Sequence, residues 1–560
     1  VWWLVALVLV AFAAWSAVEM AITADAAKQA QGSVKQALTS LRDNDLGAAR
    51  AELTTAGEQT GRARRAAGSL PLRVIAAIPI FGRDVHAGQV ATASIDDIVN
   101  DAALPLLDAG QVIIAAQEKA APGSFAVAAV RAEQGHITSA AEVAARANAD
   151  LAEINPDSLV FFADQFAEIQ SQVDDVARGC DAAARAARLL PTALGLDESK
   201  SYLLVFQNLA EERATGGIMG SWAVVKVENG VLTLTDAGVN DVFDGLTSTW
   251  QSTPDDVREL YGADLAEHQN VNLSPDFPTG AQLMSGLWQQ HSGRAADGII
   301  SVTPVALAGA LKVTGPVQVP GGPPLTAKNA VDVLQAQVYA TFTDNNARGA
   351  YLGLVTGAVF AKVLEEGVST PKMWREFATL AQDGQVLAWF ADPRLQDLVA
   401  DMPVGGALRS PEDGYIGLYL TNIDASKLGQ YTHLSLASGC ASGSPRVSAA
   451  VRYDPPAKVV PYVRGTAGRD PELSHIVTVS YYIPPTRGVT EATVNGEPVS
   501  FKVGVERGWT VVRFDVQFNP GTTTELGLQL SGSSSVPALV TQPLTNPVTL
   551  EQDEVSSTCS

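Results

Sequence analysis

The hydrophobic period of this chain changes twice, and each change restricts what the flanking residues can become. From about Ile22 to Leu189 apolar residues recur at helical spacing, as in Val34-Lys-Gln-Ala-Leu-Thr-Ser-Leu41 and Ala140-Ala-Glu-Val-Ala-Ala-Arg-Ala-Asn-Ala149. Gly68-Ser-Leu-Pro71, Pro79, Gly82, Pro105, Pro122-Gly123 and Pro156 divide this stretch into several antiparallel helices. Past Pro191 strands and helices alternate. Tyr202-Leu-Leu-Val-Phe206 reads as a strand, and Trp222 to Val227, Asn229-Gly230 and Val231 to Thr235 read as a hairpin with an Asn-Gly turn. Helices are expected at Thr279 to Gln290, Pro304 to Leu311, Lys328 to Phe342 and Tyr351 to Glu366, with strands at Gly298 to Val302 and Val317 to Val319. After Pro411 the helices stop, and Val447 to Tyr453, His475 to Ile483, Thr510 to Val516 and Thr524 to Leu530 read as strands at sandwich spacing.

These patterns predict a multidomain α+β protein: a transmembrane helix over 1–18, an extracytoplasmic helical domain over 19–190, an α/β domain over 195–405 and a β-sandwich over 411–560. Val1 to Val18 carries no charge and includes Trp2, Trp3 and Trp15, which suits a membrane span with interfacial aromatics. A cleaved signal peptide, cut near Ala21 to Ala27, reads the same residues differently. Either puts the bulk of the chain outside the cytoplasm, on a single-pass anchor in the first case. Ile75 to Phe81 is too short to span and is expected as a buried connection or a turn that dips into a surface.

A formal net charge of −22 repels nucleic acid, so no nucleic-acid partner is expected. Cys180, Cys440 and Cys559 lack any CxxC spacing; Cys180 is expected buried in a helix, and Cys440 and Cys559 to pair as a disulfide outside the cytoplasm. The six histidines lack HxxxH spacing, and no Walker A loop, GxGxxG or GxSxG is present, so no catalytic residue and no cofactor is assigned.

Chemistry concentrates instead in polar segments. Val205 to Gly220 is expected as a glycine-bearing connection between strands, carrying Asn208, Glu211, Glu212, Arg213 and Thr215. A strand connection with Gly for turn geometry has the same composition. Asp241 to Asp244, Asn270 to Thr279 with Asp276, and Asp344 to Arg348 are the others, and in an α/β sheet such ends can converge on one cleft. Arg213 and Arg348 are the expected binders of a phosphate or carboxylate, since guanidinium offers a bidentate fork. Asp276 reads equally as a local turn former, and Thr279 as a helix N-cap.

Leu203 to Gly217, Asn272-Leu-Ser-Pro-Asp-Phe-Pro-Thr279, Asp297 to Leu307 and Thr314-Gly-Pro-Val317 together resemble the bacterial family DUF4012, whose members are membrane-anchored envelope proteins common in actinobacteria. A more distant resemblance is to the LytR-CpsA-Psr proteins, which transfer glycopolymers from polyprenyl-pyrophosphate carriers to the cell wall. It runs through Val205 to Asn208 with Arg213 to Thr215, through Leu311 to Val317, and through Asp344 to Arg348. Asn208 and Thr215 stand where that family places carboxylates near magnesium, so Mg is a doubtful cofactor here.

The resemblances imply cell-envelope assembly, with a polyprenyl-phosphate-linked glycan or cell-wall polymer bound and, as a stronger form, transferred. Asn208, Glu211, Arg213, Thr215, Asp241, Asp276 and Arg348 are the ligand-binding candidates, and apolar helix residues would shelter the lipid. The alternative is a non-enzymatic envelope scaffold whose partners are other envelope proteins.

Overall fold

The computed structural model describes residues 22–26, 28–37, 39–40, 45–77, 82–121, 123–366, 370–441, 443–465, 473–552 and 558–559. The expected span at 1–18 lies outside them. Two compact units emerge: residues up to 121 with 125–197, and residues 122–124 with 198–560. The expected division at 405–411 falls inside the second unit.

The first unit is helical. Residues 22–26 and 28–37 are helical, followed by α1 (Leu46–Ala67), α2 (Leu70–Ala76), α3 (Gly82–Gln117, with a π-helical turn at Ile98–Ala103), α4 (Val127–Ala152) and α5 (Ala163–Ala193). Asp45 starts α1 by accepting from the Ala48 amide, and Pro71 is accommodated in the first turn of α2, where its missing N–H would lack a helical partner anyway. The buried faces are dominated by alanine. Ala49, Ala56 and Ala63 on α1 and Ala140, Ala144 and Ala147 on α4 let the backbones approach closely. Cys180 is buried in α5 as expected. Asp96 of α3 accepts from Thr60 and Asn100 and pairs with Arg64 of α1.

The second unit opens with a five-stranded mixed sheet in the order β3-β2-β1-β4-β5. Its strands are β1 (Lys200–Arg213), β2 (Gly216–Glu228), β3 (Val231–Val239), β4 (Gly298–Val302) and β5 (Val386–Phe390). Asn229 and Gly230 both have positive φ at the β2–β3 turn, as the Asn-Gly pair requires. β1 and β4 are parallel, and the chain between them passes through β2, β3 and then helices α6 (Asp255–Tyr261) and α7 (Phe277–Ser292). Phe277, Leu283, Met284 and Leu287 of α7 share a core with Leu203, Val205 and Trp222 of the sheet.

A second core gathers Leu307 and Leu311 of α8 (Pro304–Thr314) with Val355 and Val359 of α9 (Asn345–Glu366). Lys328 to Phe342 is not one regular helix: Ala330–Asp332, a π segment at Val333–Gln337 and Val338–Thr341 follow one another. Val317 makes only an isolated bridge with Leu325 rather than a strand. α10 (Pro371–Gln382) precedes β5.

From β6 (Ile416–Asn422) onward the regular structure is mainly strand, with one short helix at Pro461–Arg464 among the described residues. It contains a six-stranded sheet, β11-β10-β14-β8-β7-β16, and a five-stranded sheet, β12-β13-β9-β6-β15. These strands are β7 (Thr432–Ala441), β8 (Ser444–Tyr453), β9 (His475–Ile483), β10 (Arg487–Val494), β11 (Glu497–Pro498), β12 (Lys502–Glu506), β13 (Trp509–Phe518), β14 (Thr522–Gly532), β15 (Leu539–Thr541) and β16 (Thr549–Gln552). One core fills the space between them, with Leu418, Val479 and Phe514 from one sheet and Leu436, Val451 and Leu528 from the other.

Cys440 on β7 and Cys559 are joined by a disulfide, a bond that persists in oxidising compartments. Among the described residues two helices, Gly82–Gln117 and Asn345–Glu365, are long and apolar enough to cross a membrane by length and composition alone. Each packs against other helices of its own unit, which is also the behaviour of a core helix. The disulfide closes a loop with a sequence separation of 119. Reducing it should lower stability by about 2–4 kcal/mol, read as a fall in the urea midpoint; an unchanged midpoint would show that the bond contributes nothing.

Candidate functional site

The polar segment at 205–220 is not a loop. β1 continues to Arg213, β2 begins at Gly216, and only Ala214 and Thr215 turn between them. Arg213 pairs with Gly216 and Glu212 with Gly217, after a register shift between Asn208 and Glu212. The glycines serve backbone packing: a Cβ on Gly217 would lie 1.9 Å from the Asn208 carbonyl oxygen. Gln207 accepts from the Gly217 amide, and the Asn272 amide donates to Thr215 Oγ1 and the Gly217 carbonyl. Thr215, 4% exposed, therefore stitches the hairpin.

Arg213 is buried, and its guanidinium is engaged on all sides. It donates to the carbonyls of Glu212, Gln269 and Asn422 and to Asn270 Oδ1. Burial lowers it to about 10, against the raising effect of Glu211 and Glu212. Its fork holds β1, the 269–270 turn and the end of β6 together.

Glu212, 0% exposed, pairs with His475 Nε2 at 3.2 Å, and His475 Nδ1 faces Asp424 Oδ2 at 3.1 Å. Burial alone would lower the imidazole, but the two carboxylates raise it to about 10. Burial pushes Asp424 up, yet His475, Ser426 and the Ile476 amide outweigh it and hold the carboxyl low. The two carboxylates meet opposite ring nitrogens, so they do not converge on one ion, and among the described residues no group of His, Cys, Asp and Glu is placed to hold a metal. The Glu212 carboxylate lies directly over Gly429, where a Cβ would sit 2.0 Å from its Cδ.

Asp276, 1% exposed, is itself the N-cap of α7, accepting from the Thr279 amide and hydroxyl and from the Leu408 amide while pairing with Arg507 at 2.8 Å. Thr279 is thus the capped residue rather than the cap. Asp241 stands exposed on a 3-10 turn at Asn240–Phe243.

Asn208, Glu211 and Arg348 do come together. The Asn208 amide donates to Glu211 Oε2 at 3.0 Å and to the Tyr339 hydroxyl at 3.3 Å. Lys427 pairs with Glu211. Tyr339 and Tyr462 stack with ring centroids 5.0 Å apart and planes at 12°. Both cations lie against this pair: Arg348 Cζ is 4.1 Å from the Tyr462 centroid and 5.0 Å from that of Tyr339, and Lys427 Nζ is 5.3 and 5.0 Å away. Burial lowers Lys427, but Glu211 and the tyrosines outweigh it and hold the ammonium above its ordinary value. Burial raises the Tyr339 phenol. Arg348 also donates to the Phe342 carbonyl and meets Asn345 Oδ1, while Asp344 accepts from the Ala347 amide at the start of α9.

Beside this cluster is a cleft of about 70 Å³, whose lining includes Phe206, Asn208, Leu307, Tyr339, Leu352 and Val355. Asn208 and Tyr339 belong to both. Lys427, Tyr339 and Tyr462 carry no sequence signal: they stand in unremarkable surroundings far apart along the chain, and only tertiary folding joins them.

Replacing His475 by Gln should cost about 3–5 kcal/mol, because Glu212 would remain buried without its counter-charge. The sign with pH follows from the raised imidazole: its stabilisation is complete below about 6.5 and is lost as pH rises through about 10. The stability gap between the protein and His475→Gln, measured by urea unfolding, should therefore narrow across that window; a gap that widens would contradict the pairing. Gly429→Ala should also destabilise strongly, since the Cβ displaces the Glu212 carboxylate. A Gly429→Ala protein with an unchanged urea midpoint would refute that packing.

No curated protein and no solved structure matches the chain. Residues 197–339 match the family described as DUF4012, protein of unknown function, a stretch that runs from just before β1 to Tyr339 and contains Asn208, Glu211 and Tyr339, while Arg348, Lys427 and Tyr462 lie beyond it. The chain therefore carries a DUF4012 domain at residues 197–339.

Proposed function

We propose that the Tyr339–Tyr462 cluster and its neighbouring cleft bind a polyprenyl-phosphate-linked glycan during cell-envelope assembly outside the cytoplasmic membrane. The observation that carries this is the juxtaposition of two cations and an apolar cleft through a shared wall, Asn208 and Tyr339. An amphiphile with an anionic head matches both halves. Arg348 and Lys427 would meet the phosphate, with the phosphate competing against Glu211 for the ammonium. Tyr462, 47% exposed, offers an aromatic face of the kind against which sugar rings pack. The cleft admits a short apolar segment, and the remainder of a lipid chain would lie along α9, an apolar helix with Leu354 49% exposed.

In this proposal residues 1–18 anchor the chain, the middle region is related to the LytR-CpsA-Psr fold, and the two sheets over one core form a β-sandwich. The Cys440–Cys559 bond supports an oxidising location. Binding is better supported than transfer. Asn208 supplies an amide and Thr215 a hydroxyl, both engaged with protein groups, so they do not fit the anionic ligand set that a magnesium-bound pyrophosphate needs. We derive no metal-assisted step.

A scaffold reading draws on Arg213, Thr215 and Asp276, whose polar groups are used in holding the unit together. The two differ in what Arg348→Ala and Tyr462→Ala do. For a ligand site, each should weaken polyprenyl-phosphate binding, Arg348→Ala by about tenfold or more for a lost charge-assisted hydrogen bond, while Asp241→Ala leaves it unchanged. Mass spectrometry of copurifying lipids should find polyprenyl phosphate on the unsubstituted protein and less on Arg348→Ala. Equal lipid content in both would remove the binding proposal and leave the scaffold.

A further inference from the structure

Four large apolar side chains of the helical unit stand exposed at one end of it: Leu70 at 62%, Val74 at 50%, Val160 at 66% and Phe161 at 64%. They come from two distant parts of the chain, α2 and the α4–α5 connection, and the up-and-down path of the helices brings them to the same end. α1 and α3 run antiparallel, with Gln89 near the start of α3 donating to the Ala67 carbonyl at the end of α1. Ala87 and Ala91 of α3 share a core with Leu151 at the end of α4, Leu159, and Phe166 at the start of α5.

The α4–α5 connection is held rather than loose. Asp84, 7% exposed in the first turn of α3, accepts from the Val160 amide at 3.1 Å and the Phe161 amide at 2.9 Å. Leu159 turns inward while Val160 and Phe161 turn outward. A buried carboxylate thus fixes the backbone of a tip that presents apolar groups to the surroundings, an arrangement without benefit in water.

The path of the chain indicates what covers this end. Ala37, near the end of the first helical segment, shares a core with Ala49 and Leu53 at the start of α1, so that segment runs antiparallel to α1 and its other end, Ile22, faces the α2 side. The sequence preceding Ile22 includes the uncharged, tryptophan-bearing Val1 to Val18. We propose that Leu70, Val74, Val160 and Phe161 form a foot that inserts into the interfacial layer of the lipid bilayer holding the N-terminal segment, setting the helical unit upright on the membrane. This rests on that segment being in the bilayer.

The attachment is apolar. Exposed Arg65, Arg73 and Arg83 around the foot are matched by exposed Glu153, Asp157 and Asp164, so neutral lipid suffices and salt has little effect.

The test uses the full chain in phosphatidylcholine nanodiscs, with an environment-sensitive fluorophore on Val160→Cys, Leu70→Cys, Val10→Cys or Lys119→Cys and brominated lipid as quencher. The native cysteines do not compete, being disulfide-bonded or buried. Lys119 is exposed just beyond the far end of α3. Labels at 10, 70 and 160 should lose most of their emission while the label at 119 keeps it, at low and at high salt. Bright labels at 70 and 160 beside a quenched label at 10 would overturn the foot while leaving the anchor intact. A bright label at 10 as well would overturn both. Energy transfer between Val160-labelled copies in detergent would assign the patch to a second copy of the chain and overturn the membrane foot.

Discussion

The buried carboxylate of Glu212 constrains the second unit more than any other group. A carboxylate removed from water must meet a counter-charge or remain strongly unfavourable, and the partner here, His475, lies on β9 of a different sheet. β1 therefore belongs to two structures at once: it pairs with β2 along its length and with β4 over its first half, and its end reaches the β6–β9 region. Gly429 must lack a side chain to admit the carboxylate, and Arg213 must find carbonyl acceptors on both sides. A second buried carboxyl, Glu506, pushed upward by burial, is held between the middle and C-terminal regions by the hydroxyls of Tyr261, Tyr482 and Ser274 and not by a cation. Regions with such shared buried polar groups have no free surfaces along which to separate.

The register shift between Asn208 and Glu212 also creates the candidate site. In a regular strand, residues 208 and 211 would face opposite sides of the sheet. The irregularity brings Asn208 to Tyr339 and Glu211 to both Asn208 and Lys427 while sending Glu212 to His475. One local departure from pleating thus separates a structural carboxylate from one beside the cleft, although the two are adjacent in sequence.

Much of the fold was legible because periodicity reports which face of an element is buried. The Asn-Gly turn, the strands after Pro411 and the helical spacing before Leu189 each carry a local physical signature, and the Cys440–Cys559 pair is present as expected. The site was legible only in part. Asn208, Glu211 and Arg348 converge, whereas Arg213, Thr215 and Asp276 are fixed within the fold and Asp241 stands apart in solvent. Polarity marks a residue as needing partners, and the identity of those partners is a long-range property.

The sequence by itself determined the order of helical, mixed and strand-rich regions, the absence of charge in Val1 to Val18, and the residue types available for recognition. The tertiary structure decided that 205–220 is a bulged hairpin, that the middle and C-terminal regions share one compact unit, and that Lys427 and Tyr462 stand beside Asn208. The reason is the range of the forces involved. Backbone preference and hydrophobic period act over a few residues and are written locally, while the pairing of a buried charge or the stacking of two rings is settled only when distant segments compete for the same interior.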